Sequence, residues 1–230
     1  MPSPNKWFAG LDLGQLSDYT ALAILEHVGP GERATLPDQT FHVRHLHRYP
    51  LGTSYPAIVD DVARLFDQSP LSGEVVLSVD ATGVGVAVMD LFQQATRWPK
   101  VVGRTIDGAP FYAPPHRPKL RLKRLHPITI TGGDQVHREG KAYRVPKRDL
   151  VGAVQVGLQG MGLKIAPELE FAETLTRELR DFRVKVSLAG HDSYGVADEW
   201  RQGQHDDLVL AVAMAAWTAR NASTFSAVAI

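Results

Sequence analysis

Residues 7–14 read Trp7-Phe8-Ala9-Gly10-Leu11-Asp12-Leu13-Gly14, an apolar run that carries a single carboxylate near its end. A short apolar run that ends at a glycine-containing turn is typical of a buried β-strand. A second apolar run, Val75 to Asp80, also ends on an acid. A third acidic position, the pair Asp206-Asp207, begins the apolar helix predicted near residue 210. The sequence therefore predicts three hydrophobic elements, far apart along the chain, each with an acidic residue at one end.

The spacing of apolar residues predicts a mixed α/β chain. The expected strands are 7–13, 20–28, 40–49, 74–80, 101–106, 128–130, 142–145 and 163–165, and the expected helices are about 55–68, 83–96, 147–160, 171–182 and 206–220. Residues 107–127 are rich in proline and are expected to be irregular, and 183–204 to form a short strand and a polar loop. This order predicts a mixed central sheet flanked by helices, with a basic β-hairpin and loop insertion at about 107–146.

Length and composition favour a single domain spanning 1–230. With 44% hydrophobic and 22% charged residues, the chain has the composition of an ordinary globular protein. It contains no cysteine, which excludes disulfides, cysteine-bound zinc and a thiol nucleophile, and is consistent with a reducing cytoplasm. We see neither a signal-peptide pattern nor an apolar run of the ~20 residues that cross a bilayer, so we expect no membrane partner.

The formal net charge of zero hides a local asymmetry. Between Arg97 and Arg148 the sequence has thirteen Lys and Arg residues against three acids, a local charge of +10. A basic region of this kind beside an acidic site suits a polyanion such as nucleic acid. The alternative is a solvated surface loop that happens to be basic.

The three acidic positions suit a site for two divalent ions. Mg²⁺ and Mn²⁺ prefer oxygen ligands, and carboxylates at adjacent strand ends and at a helix N-terminus can converge without disturbing the core. The positive end of the last helix would help to keep Asp206 and Asp207 ionised. Taken one by one, the same acids are ordinary turn and helix-cap residues, so a DNA-binding scaffold without catalysis is an open alternative.

Other catalytic motifs are missing from the sequence. It has neither a Gly-x-x-x-x-Gly-Lys-Ser/Thr phosphate loop nor a Gly-x-Ser-x-Gly nucleophile elbow. The turn after Asp80 resembles a dinucleotide-binding turn, but Val88 stands where the third glycine is needed. We therefore interpret its glycines as a tight turn beside a metal-bound phosphate.

Several segments together resemble the nuclease domain of tailed-bacteriophage large terminase subunits, and the resemblance covers nearly the whole chain. These segments are Gly10-Leu11-Asp12-Leu13-Gly14 with Asp18-Tyr19-Thr20-Ala21, Val79-Asp80-Ala81-Thr82-Gly83-Val84-Gly85, Ile130-Thr131-Gly132-Gly133, Val145-Pro146-Lys147-Arg148-Asp149-Leu150-Val151 and Gly203-Gln204-His205-Asp206-Asp207-Leu208-Val209-Leu210-Ala211. The resemblance implies a ribonuclease H-like fold and metal-dependent endonucleolytic cutting of double-stranded DNA during genome packaging.

The resemblance also implies roles for individual residues. Asp12, Asp80 and Asp206 would be the catalytic metal-binding acids of a site for two Mg²⁺ or Mn²⁺ ions. Asp207 would be a further ligand or an orienting acid, and Asp18 an accessory acid. In the basic region we expect DNA-backbone contacts, and hence low sequence specificity, from Arg121, Lys123, Arg124, Lys141 and Lys147.

Double-stranded DNA is the expected partner, in the cytoplasm of a bacterial host. The ATPase domain, small terminase subunit and portal of a packaging machine are further expected partners. The packaging ATPase domain that normally precedes this nuclease domain has no counterpart in these residues. We therefore expect an excised domain, a prophage fragment or a free-standing relative.

Two other enzymatic interpretations remain open. A Holliday-junction resolvase could use the same fold and would prefer branched over linear duplex. The second is an actin-like or sugar-kinase-like ATPase. The first phosphate loop of such proteins also has an Asp-Leu-Gly sequence followed by a threonine, and Asp12-Leu13-Gly14 with Thr20 matches this pattern. That fold needs two such lobes, and only one is evident.

Overall fold

A computed structural model describes residues 6–14, 18–29, 40–83, 85–97, 101–104, 106–108, 110–112, 118–181 and 206–222. Its strands are β1 (Lys6–Asp12), β2 (Thr20–Val28), β3 (Thr40–Tyr49), β4 (Val75–Asp80), β5 (Val101–Arg104), β6 (Pro110–Tyr112), β7 (Arg124–Thr131), β8 (His137–Glu139), β9 (Ala142–Pro146) and β10 (Leu163–Ile165). Its helices are α1 (Tyr55–Phe66), α2 (Gly85–Thr96), α3 (Lys147–Gln159), α4 (Ala172–Asp181) and α5 (Asp207–Arg220).

Eight of these strands form one mixed sheet in the order β10-β3-β2-β1-β4-β7-β9-β8. Strand β1 lies near the middle, antiparallel to β2 and parallel to β4. A central parallel pair is buried on both faces, which explains why β1 and β4 are apolar almost throughout. The predicted mixed central sheet flanked by helices is confirmed.

The central sheet separates two hydrophobic cores, because side chains along each strand alternate between its two faces. Phe8, Ala23 and Ile128 point to the face covered by α3, α4 and α5, which we call the α5 face. Leu11 and Leu77 point to the opposite face, where α1 and α2 pack. Because successive side chains of a strand point to opposite faces, each residue of β1 or β4 is assigned to one core by its position.

Helix α5 lies unusually close to β1. A Cβ atom added to Gly10 would collide with the backbone carbonyl oxygen of Ala211 and come within 3.0 Å of the backbone nitrogen of Ala215. The glycine in β1 and the alanines in α5 therefore allow direct backbone contact between helix and strand. Although α5 is the most apolar helix, no helix in the described part of the chain is long and apolar enough to cross a bilayer.

The structure corrects the prediction for the middle of the chain. The strand expected at 101–106 does not join the main sheet, because β5 pairs only with β6 in a separate two-stranded sheet. The region 107–146, expected to be an insertion, supplies β7, β8 and β9 to the main sheet. Among the described residues of this region, β8 and β9 form a hairpin. The short strand and loop expected at 183–204 lie outside the described residues.

Candidate active site

Asp12 and Asp80 end two neighbouring strands and point to the same face of the sheet. Parallel pairing places Leu11 beside Val79, so the acids that follow them are adjacent. Gly10 contacts α5, and Asp12, two residues later, points the same way. On β4, the Ser78 hydroxyl lies 2.6 Å from that of Thr218 in α5, which places Asp80 on the α5 face as well.

The first turn of α5 brings two more acids to these strand ends. Asp207 begins the helix and is buried, and Asp206 precedes it at the N-cap position. The close contact between α5 and β1 fixes where this helix begins relative to Asp12. The positive end of the helix dipole lies beside the acids of this turn.

The electrostatics of Asp12 show that the four acids form one cluster. Burial is the main cause that raises its pKa well above the ordinary value of 3.8. The negative charges of Asp80, Asp207 and Asp206 raise it further, as does a hydrogen bond with the Asp80 side chain. Like charges this close favour protonation or the binding of a cation. We call Asp12, Asp80, Asp206 and Asp207 the acid cluster.

The turn that follows β4 holds Asp80 in place. The Thr82 backbone N–H donates to Asp80 Oδ1 over 2.7 Å, and Thr82 Oγ1 accepts from the Ile130 N–H over 2.8 Å. Gly83 has a φ of +76°, a conformation that favours glycine. The Asp-Ala-Thr-Gly sequence is therefore a turn that orients the carboxylate and ties it to β7.

Comparisons with known proteins address the fold. No protein-family model and no curated protein matches the sequence. Among solved structures, the large terminase nuclease from the thermophilic phage G20c matches with a TM-score of 0.51 and 15% identity, over 92% of this chain and 81% of that chain. This chain has a terminase-nuclease fold of the ribonuclease H-like type. The resemblance seen in the sequence is confirmed at the level of the fold.

Two less similar structures match over most of their length. The human cytomegalovirus terminase nuclease domain, soaked with Mn, gives a TM-score of 0.48 and 19% identity, over 96% of this chain and 85% of that chain. The RuvC structure of Thermus thermophilus gives a TM-score of 0.29 and 12% identity, over 95% of this chain and 96% of that chain.

Within the terminase-nuclease fold of this chain, basic side chains partly compensate the acid cluster. Lys147, the first residue of α3, places its Nζ 3.2 Å from Asp206 Oδ2. Arg48 on β3 places its Nη2 3.6 Å from Asp207 Oδ2 and donates a hydrogen bond to Glu178. Sequence reasoning identified Lys147 but missed Arg48 and Glu178, because one lies in an alternating strand and the other in a helix rich in charge.

The donor set of the acid cluster fits a hard divalent cation. All four side chains offer carboxylate oxygens, which Mg²⁺ and Mn²⁺ prefer, and their mutual repulsion would be relieved by added positive charge. Within the described ranges no three acidic or histidine side chains converge as a ready-made metal cage. In this structure Lys147 and Arg48 supply nearby positive charge instead.

The other expected site residues are not all at the acid cluster. Asp18 lies in the turn between β1 and β2, where its backbone packs against Gly14. Lys141 is exposed in the β8–β9 turn. By strand spacing it lies on the order of 10–15 Å to the side of Asp80.

Three predicted DNA contacts lie at the end of β4 that is farther from the acid cluster. Lys123 donates its backbone N–H to Val75, and Arg124 pairs with Val76, so Arg121, Lys123 and Arg124 lie beside the start of β4. Asp80 is at the other end of that strand, roughly 17 Å away at about 3.3 Å per residue. Arg121 is also paired with Asp67 at 3.1 Å and Lys123 with Glu74 at 3.6 Å. These three residues therefore lie away from the acid cluster.

Proposed function

We propose that this chain is a divalent-metal-dependent endonuclease that cuts double-stranded DNA. The observation that carries the proposal is the acid cluster, which three elements of a terminase-nuclease fold assemble at one end of the sheet. The nuclease activities named for the G20c and cytomegalovirus structures agree with it. We expect the protein to act in the cytoplasm of a bacterial host.

The proposal assigns a role to each acid. Asp12, Asp80 and Asp206 would hold two Mg²⁺ or Mn²⁺ ions, and Asp207 would add a further ligand. When bound, such an ion pair lowers the pKa of a water molecule and stabilises the leaving oxygen of a phosphodiester. Asp18 is retained as an accessory acid beside the β1–β2 turn.

The protein's own groups prepare the site for this chemistry. The Thr82 backbone N–H donates to one Asp80 oxygen and so fixes the orientation of this carboxylate. The positive end of the α5 dipole lies at Asp206 and Asp207. Lys147 already lies beside Asp206 and would contact a DNA phosphate that approaches the acids. The site therefore binds and orients the phosphodiester through charge.

The β8–β9 hairpin is the proposed DNA-binding surface. It presents exposed basic residues at the sheet edge on the Lys147 side, namely Arg138, Lys141 and Arg144. Contacts of this kind act on the phosphate backbone, so we propose low sequence specificity and strong salt dependence. A role in viral genome packaging, with an ATPase domain, small terminase subunit and portal as partners, is part of the same proposal.

Plasmid cleavage tests the proposed activity. We expect purified protein to nick and linearise supercoiled plasmid with Mg²⁺ or Mn²⁺ and to be inactive in EDTA. Asp12→Ala and Asp80→Asn should abolish cutting, because each removes a ligand from the acid cluster. Asp90→Asn, on the exposed face of α2, is the matched control and should cut like wild type. Undiminished cutting by folded Asp12→Ala or Asp80→Asn would refute the proposal.

The alternatives predict different substrates. A junction resolvase would cut branched DNA in preference to linear duplex, so both are tested side by side. An ATPase would bind nucleotide at the turn after Asp12. In the structure the Thr20 hydroxyl of that turn accepts a hydrogen bond from the Gly14 N–H over 3.1 Å, a structural role that requires no phosphate. A non-catalytic scaffold would bind DNA without cutting it.

A further inference from the structure

Glu178 in α4 is a buried carboxylate that contacts the helix carrying two of the acids. It is only 7% exposed. Its Oε2 accepts hydrogen bonds from the backbone N–H groups of Leu208 over 3.1 Å and Val209 over 3.3 Å. These residues follow directly after Asp206 and Asp207. Glu178 therefore caps the first turn of α5 from another helix.

This cap replaces the one that α5 would be expected to have. Aspartate at an N-cap position usually accepts a hydrogen bond from the helix's own first turn. Asp206 makes no such side-chain bond and instead contacts Lys147. Because Glu178 satisfies the free N–H groups, the Asp206 carboxylate does not need to fold back onto its own helix.

Arg48 extends this network to Asp207 and to the β1–β2 turn. Its Nη2 donates to Glu178 Oε1 and lies 3.6 Å from Asp207 Oδ2. Its guanidinium carbon lies 4.9 Å from the centre of the Tyr19 ring. The Arg48 side chain is 14% exposed, so the planar guanidinium is confined by these neighbours.

We infer that Glu178 is a positioning residue for the acid cluster and acts together with Arg48. It holds the first turn of α5 so that Asp206 and Asp207 face Asp12 and Asp80, and it thereby sets the affinity for the divalent ion. The inference rests on the proposed function, since it concerns the same metal site. It assigns no contact with DNA or with the reacting phosphate to Glu178.

Mn²⁺ binding measured by titration calorimetry tests this inference without relying on activity. Glu178→Gln keeps the side-chain shape and one acceptor for the helix N–H groups but loses the charge that holds Arg48. We expect its dissociation constant for Mn²⁺ to rise by roughly tenfold or more, as for other residues that orient metal ligands. Glu173→Gln, on the same helix with a side chain that is 94% exposed, should bind Mn²⁺ like wild type.

A second measurement separates positioning from a purely structural role. For Glu178→Gln, the Mn²⁺ concentration that gives half-maximal cutting should rise, while cutting at saturating Mn²⁺ should stay near wild type. A structural residue would lower the melting temperature of the metal-free protein without changing Mn²⁺ affinity in the folded state. That result, or unchanged Mn²⁺ affinity, would overturn the inference.

Two further variants complete the test. If Glu178→Gln does not fold, Arg48→Lys tests the inference in its place. Lysine keeps the positive charge but lacks the planar guanidinium that reaches both Glu178 and Asp207. For Arg48→Lys we expect the dissociation constant for Mn²⁺ to rise by a smaller factor than for Glu178→Gln. An unchanged dissociation constant would refute the positioning role. Asp80→Asn tests the proposed function rather than the role of Glu178. If wild type binds no Mn²⁺, or Asp80→Asn binds it equally well, the proposed function itself fails.

Discussion

At the scale of single residues, burial and the neighbouring acids disfavour a negative charge on Asp12. Its pKa is raised in the folded protein by burial and by three neighbouring acids. In the unfolded chain Asp12 ionises near its ordinary value of 3.8. Folding therefore gains most from Asp12 when the pH is below that value, and the gain is lost as the pH rises through the folded pKa.

We expect Asp12→Asn to stabilise the metal-free protein at neutral pH. The substitution removes a negative charge that the other acids repel. Each kcal/mol added to the free energy of unfolding should raise the melting temperature by about 2–4 °C. Thermal unfolding in EDTA from pH 4 to pH 8 measures this. The difference from wild type should grow with pH, whereas Asp90→Asn should show no such trend. A variant less stable than wild type at pH 7 would contradict the expectation.

The sequence reveals the acids because each one ends an apolar element. Asp12 and Asp80 close buried strands, and Asp206-Asp207 begins an apolar helix. Arg48 and Glu178 give no comparable signal. Their importance comes from a contact between residues 130 positions apart. A single sequence does not encode such a pairing in any local pattern.

At the scale of secondary-structure elements, the contact between β1 and α5 sets the position of two acids. We expect Gly10→Ala to destabilise the protein by at least about 1–3 kcal/mol, because the new methyl group must displace the Ala211 backbone. The same displacement shifts the first turn of α5, so Mn²⁺ affinity should fall as well. Thermal unfolding and calorimetry measure the two effects.

Gly152→Ala is the matched control for this substitution. Gly152 lies within α3, and a Cβ added there would meet nothing within 4 Å. Alanine favours the helix over glycine by roughly 0.5–1 kcal/mol, so this variant should be as stable as wild type or more stable. Equal stability of Gly10→Ala and Gly152→Ala would show that the helix can move away from β1 at no cost.

Helices and strands could be predicted from the sequence wherever the apolar residues recur with a single helical or strand period. The strands at 20–28 and 40–49 have the predicted bounds, and α1 begins at Tyr55, as predicted, with Ser54 as its N-cap. Strand β7 was predicted only in part, because its first half contains Pro127 and charged or polar residues that are typical of loops. Its place in the sheet comes from pairing with β4 and β9, not from its own composition.

At the scale of the whole molecule, the basic residues divide between the start of β4 and the β8–β9 edge of the sheet. Arg121 and Lys123 are paired with acids at the start of β4, whereas Lys141 lies on the exposed hairpin beside β9. A net charge of zero therefore coexists with a local surface suited to DNA.

We expect Lys141→Glu to weaken DNA binding and Lys123→Glu to change it little. Loss of one phosphate contact should reduce the slope of log affinity against log salt by about 1. Fluorescence anisotropy with a labelled duplex, in EDTA at several salt concentrations, measures both. A larger effect of Lys123→Glu would place the DNA at the opposite end of the sheet and refute the proposed surface.

The order of the strands could not be derived from the sequence. Parallel neighbours such as β4 and β7 are joined by more than forty residues that include another helix and a separate small sheet. The stability of such a pairing depends on the whole assembled core. The sequence therefore predicts which residues are candidates for a site, and the fold decides which of them meet.

The place of α5 along the chain has a consequence for the protein during its synthesis. Strands β1 and β4 leave the ribosome before α5, the helix that covers them, completes the acid cluster and is the last element described, Asp207–Arg220. Until it is translated, Gly10 and Ser78 lack their packing partners and the cluster lacks two carboxylates. A nascent chain therefore cannot assemble this centre, and the proposed cutting activity begins only after translation has passed α5.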